Sequence, residues 1–166
     1  MYALYAETAR RAGFFLRPKE YNARFWREFS ADGTGKLFFA YGKDDPDPVA
    51  GAFICYSGAT AVYKDGGSRR SGVRHFAHLL QWEIMRDLRA NGVTSYDMHG
   101  VPPRVEDSTH PLAGLAMFKL SFTQEATEYV GAFDIVLSEF RYAVWRKVGQ
   151  RVSSAVAHRI KKTTLY

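Results

Sequence analysis

Residues 67–74 read GSRRSGVR, two adjacent arginines set among glycines and serines. The segment falls between a predicted strand and a predicted helix. Its backbone N–H groups and the positive end of a helix dipole can therefore face an anion. Arg69, Arg70 and Gly72 are the candidate anion-binding residues, and a solvated basic turn is the alternative. Other chemistry has weaker support. His75 and His78 stand three apart on the predicted helix, but no Cys or carboxylate is placed to complete a metal site. His99, His110 and His158 are scattered. The chain carries neither a GxSxG elbow nor a Walker loop. Cys55, the one cysteine, lies in the apolar run AGAFICYSG and reads as a small buried hydrophobe rather than a nucleophile. Neither a metal nor a bound cofactor is expected.

The elements around these residues belong to one domain of ordinary composition. The 166 residues are 46% hydrophobic and 24% charged, which excludes a long disordered chain. No apolar run approaches the roughly 20 residues needed to span a bilayer. The first residues, MYALYAETARR, lack the apolar centre of a secretory signal. With a single cysteine, this points to a reducing, cytoplasmic setting. The net charge of +6 favours an anionic partner such as RNA, phosphates or an anionic membrane face.

Apolar periodicity and turn residues predict helices over 2–12, ended by Gly13, and over 19–29, after Pro18. Three strands follow, at 36–41, 48–56 and 59–64, joined as antiparallel hairpins. A helix is expected over 72–90, then a strand over 94–99, a Pro-rich loop, a helix over 112–120 and a strand over 126–133. The last segment, 139–162, reads as an amphipathic helix. Val144, Val148, Val152, Val156 and Ile160 form its apolar stripe, and Lys147, Arg151, His158 and Lys162 form a basic strip beside it. The expected division is a domain over 1–137 with a basic helix, 138–166, packed on it. Hairpins followed by a strand–helix–strand crossover exclude a simple doubly wound sheet and give an α/β fold with a mixed sheet.

This order resembles the GNAT acyltransferase architecture, in which two central strands splay and the acyl donor enters the gap. The 67–74 loop is similar to the pyrophosphate loop of GNAT enzymes at Arg69 and Gly72. Arg74 departs from it, because a small residue belongs there and a bulky one crowds a coenzyme A pyrophosphate. A second set of stretches, in family order, resembles the FemABX peptidoglycan aminoacyltransferases. It comprises 13–21 (GFFLRPKEY), 48–52 (PVAGA), 79–83 (LLQWE), Tyr96-Asp97, Gly100-Val101, 114–119 (GLAMFK), Phe122, 128–131 (EYVG) and Asp134. The resemblance covers the second GNAT-like half of such a protein, so a first half or a partner chain is expected to complete it.

The resemblance implies transfer of an aminoacyl group from aminoacyl-tRNA to an amine of a lipid- or UDP-linked muropeptide. The tRNA is a co-substrate, and the protein would be cytoplasmic or peripheral at the inner membrane face. Phe118 and Lys119 look like the family's Phe-Lys pair in the substrate channel. An ammonium in a partly dry channel stabilises the oxyanion formed when an amine attacks an ester. Arg17 and Tyr21 look like residues facing the precursor, where a guanidinium can grip a diphosphate. Tyr63 looks like a tyrosine lining the same cavity, although its place in a strand fits core burial equally well. The alternatives are a coenzyme A-dependent N-acyltransferase and a non-catalytic RNA- or membrane-binding module.

Overall fold

The computed structural model describes residues 1–72, 74–102, 105, 107–110, 112–123 and 126–156. It shows a four-stranded mixed sheet, β1 (Gly35–Tyr41), β2 (Pro48–Ser57), β3 (Thr60–Ser68) and β4 (Ser95–Asp97), in that spatial order. The first three strands are antiparallel hairpins, and β4 lies parallel to β3 after a helical crossover. Residues 49–54 of β2 are all buried, as a strand covered on both faces requires.

Alternation along β2 assigns the two faces. Ala50, Ala52 and Ile54 join Leu80, Ile84 and Leu88 of α3 (Phe76–Ala90). Phe53 points the other way, onto the Phe25 and Trp26 rings of α2 (Lys19–Ala31). Tyr5 of α1 (Tyr2–Ala12) meets the same Trp26. Gly13 closes α1 with φ 75°, a left-handed stop that glycine adopts without a Cβ penalty.

A bulge in β3 decides what each face receives. The β2–β3 register runs Phe53↔Asp65 and then Ile54↔Tyr63, so Lys64 is the extra residue. Tyr63 and Asp65, two apart, consequently face opposite sides. Tyr63 packs toward α3, while Asp65 lies 7% exposed beneath α1 and α2. There its carboxylate accepts a bond from Trp26 Nε1 at 2.8 Å and lies close to the Tyr5 hydroxyl. Burial first, and then the charge of Asp65, push the Tyr5 phenol upward.

Two glycines of β3 are required by close approach. A Cβ on Gly66 would meet the Tyr63 hydroxyl, and one on Gly67 would sit 2.6 Å from the α1 backbone at Leu4 and Tyr5. β3 therefore runs on to Ser68, beyond the 59–64 expected, and absorbs the start of the supposed loop. Gly67→Ala is expected to cost about 1–3 kcal/mol by forcing α1 off the sheet. Gly72→Ala meets no atom within 4 Å and should leave the melting temperature nearly unchanged. Equal melting of the two variants would refute this account.

Three further expectations are corrected. α3 begins at Phe76 instead of residue 72, because His75 has φ 58°, outside the helical region. Residues 126–133 form no strand, and Gly131 within them is left-handed (φ 75°). The C-terminal helix runs over 139–156 but changes pitch, with a π turn, Trp145–Gly149, between α5 (Glu139–Val144) and α6 (Gln150–Val156). Its stripe, expected to face the domain, stands open at Val144, Val148 and Val152 (49%, 57% and 55% exposed). His158, Ile160 and Lys162 lie outside the described residues.

Candidate active site

The short helix α4 (Ala113–Leu120) carries the candidate catalytic pair. Ala116 is fully buried, and Lys119, one turn further on the same face, is 7% exposed. The helical period thus turns an ammonium inward. Lys119 Nζ donates to the carbonyls of His99 at 3.1 Å and Gly100 at 2.7 Å. These carbonyls belong to the loop leaving β4. His99 is left-handed there (φ 66°), and its N–H donates to Asp97 Oδ1 at 2.6 Å. Burial lowers the Lys119 pKa from its ordinary value, and the charge of Asp97 opposes that shift.

Phe118 faces an aromatic cluster. His78 of α3 meets it edge-on at 5.0 Å and stacks on Phe122 at 5.5 Å, while Phe118 and Phe122 contact each other edge-on. His75 touches His78 at 6.0 Å. The cluster anchors α4 to α3 and fixes the direction of Lys119. The sequence placed His75 and His78 three apart on one helix, whereas His75 lies just before α3 with left-handed backbone. The aromatic partners of His78, and the two carbonyls gripping Lys119, had no sequence signal. Among the described residues, no three His, Cys, Asp or Glu side chains are grouped to hold a metal ion.

The other candidates lie elsewhere. Arg17 stacks over the Tyr21 ring at 4.8 Å, and Tyr21 is 49% exposed. With exposed Phe14 and Phe15, they form an aromatic and cationic surface where α1 meets α2, helices on the sheet face opposite α3. Tyr63 lies largely inside, beside Gln81. Gln81, 1% exposed, accepts from the Tyr96 hydroxyl at 2.7 Å. Burial pushes the Tyr63 phenol up to about 12. Its place is that of a core tyrosine tying β3 to α3 and β4. Cys55 is half-buried, and its thiol is pushed up by burial, which disfavours a thiolate.

The 67–74 segment is engaged with the protein itself. Arg69 pairs with the Asp45 carboxylate and donates to the Pro48 and Asp47 carbonyls at 3.1 and 3.2 Å. Arg70 N–H donates to Glu7 Oε1 at 3.0 Å. The donors expected to meet a ligand anion thus meet carboxylates of α1 and the β1–β2 loop. Gly72 is exposed.

Comparison with known proteins places this arrangement. Residues 34–149 match the model of the FemAB family. A Staphylococcus epidermidis lipid II:glycine glycyltransferase is 32% identical over 118 residues, 68% of this chain and 28% of that protein. The aminoacyltransferase FemA of Staphylococcus aureus is 29% identical over 110 residues, 63% of this chain and 26% of that protein. The chain therefore spans under a third of these relatives' length. In fold, it is similar to a crystal structure of FemX, with a TM-score of 0.58 at 18% identity over 70% of this chain and 45% of that one. A probable acetyltransferase is also similar, with a TM-score of 0.54 at 12% identity over 82% of this chain and 89% of that one. The matched span and the 32% identity to the glycyltransferase over two thirds of the chain show that the chain belongs to the FemAB family.

Proposed function

We propose that this chain is the Lys119-bearing part of an aminoacyltransferase that moves an aminoacyl group from aminoacyl-tRNA to an amine of a peptidoglycan precursor stem peptide. The buried ammonium of Lys119 carries this reading. A lysine turned inward on α4 and held by two loop carbonyls keeps a third N–H to donate. In the reaction, the neutral acceptor amine attacks the ester carbonyl carbon. The carbonyl oxygen takes up negative charge, which the ammonium opposes. The C–O bond to the tRNA ribose then breaks, and the amine's proton passes to the departing hydroxyl. An aminoacyl ester is already activated, so positioning and charge stabilisation suffice. Arg17 and Tyr21 offer a stacked guanidinium for the diphosphate of the precursor. A further GNAT-like half, or a partner chain, would complete the acceptor site.

The test is incubation of the protein, alone and joined to such a half, with charged tRNA and a UDP- or lipid-linked muropeptide. The expected product is a muropeptide heavier by one aminoacyl residue, read by mass spectrometry. Saturable 1:1 binding of acetyl-coenzyme A, without tRNA-dependent product, would replace this reading with an ordinary N-acyltransferase.

A further inference from the structure

The positive charge of this protein is concentrated at one end of the chain. Residues 1–139 carry 16 Lys and Arg against 17 Asp and Glu, whereas the 27 residues after Glu139 carry seven Lys and Arg and no acid. The described part of that end is the helical segment of α5, the π turn and α6. Its apolar side chains are uncovered: Phe140 is 79% exposed, Val148 57%, Val152 55% and Trp145 47%.

The π turn gives that apolar set a common direction. In an unbroken α-helix, residues four apart rotate by about 40° at each step. Positions 140, 144, 148 and 152 would then wind away from a single line. The wider turn over Trp145–Gly149 advances less per residue and takes up part of that rotation. Trp145 lies along the helix surface, because a Cβ on Gly149 would meet its ring. At about 100° per residue, Arg141 flanks Phe140 on one side of the stripe. Lys147 and Arg151 flank Val148 and Val152 on the other. An apolar stripe with an aromatic edge and cations on both flanks is the form of a helix lying in the plane of a membrane interface. Its stripe enters the acyl boundary, while long basic side chains reach the headgroups. No helix among the described residues is long and apolar enough to cross a membrane.

We propose that residues 139–156 form an interfacial helix that docks this protein on an anionic lipid surface. Charge complementarity selects that occupant. A second copy would bring a stripe bordered by the same cations against this one, whereas anionic headgroups neutralise both flanks at once. The proposal is independent of the transfer reaction, because vesicle binding requires neither tRNA nor acceptor.

The experiment is flotation of the full chain with phosphatidylcholine vesicles and with vesicles also containing phosphatidylglycerol. Binding is expected only with the anionic lipid and should weaken as salt is raised. Val148→Asp with Val152→Asp should abolish it by removing the stripe. Lys147→Glu with Arg151→Glu should reduce it at least tenfold by reversing one flank. Both variants should keep the parent's circular dichroism and melting temperature, since the mutated side chains are exposed. Unchanged binding by both variants, or no binding by the parent, overturns the proposal. So does a vesicle-free parent dimer that the Asp variant dissociates, which would assign the stripe to a second copy.

Discussion

Lys119→Ala is expected to lower aminoacyl-transfer turnover by about 100-fold, the usual loss when one oxyanion-stabilising group is removed from a preorganised site. The same change leaves the His99 and Gly100 carbonyls without their donor, so some stability is lost as well. An unpaired buried acceptor costs on the order of 1–3 kcal/mol. The two roles separate in pH. Burial depresses the Lys119 pKa below the ordinary 10.5, so its charged form is the one that folding disfavours. Its contribution to stability therefore rises between the lowered folded value and 10.5, where the unfolded chain binds the extra proton. Turnover moves the opposite way. It should fall as pH rises through that lowered value, because the catalytic species is the ammonium. Turnover that stays flat through this window while Lys119→Ala lowers only the melting temperature would reduce Lys119 to a strut for the 97–100 loop.

Asp65→Ala should produce the largest loss of stability. It strips the acceptor from Trp26 Nε1 in a region where Trp26 is 5% exposed. The orphaned donor should cost about 1–3 kcal/mol. For a domain of this size, that lowers the melting temperature by roughly 2–12 °C. Asp65→Asn keeps one acceptor and should cost less. Lys64→Ala is the control: its ammonium sits 3.7 Å from Asp65 with 45% of its side chain exposed, a geometry worth little. Calorimetry on the three variants checks the order. If Lys64→Ala destabilises as much as Asp65→Ala, the carboxylate is held by the ion pair and not by α2.

The sequence by itself determined what short-range physics controls. The apolar period and the stop at Gly13 fix α1, and Pro18 marks where α2 starts. The unbroken apolar run at 49–54 identifies the strand buried on both faces. The ordered stretches identify the family before any coordinate is known. Only the tertiary structure decided the features that depend on partners distant along the chain. Gly67 reads as a loop glycine until α1 is seen against it, and Arg69 reads as a ligand for an anion until Asp45 arrives from another hairpin. One extra residue, Lys64, reverses the faces of Tyr63 and Asp65, and no local pattern announces a bulge. Residues 126–133 have a strand's composition, but a strand exists only where a neighbour supplies its hydrogen bonds. Lys119 is the clearest case. A lysine on a helix is ordinarily solvated, and its burial here follows from the loop after β4, which brings two carbonyls to its ammonium from about twenty residues away.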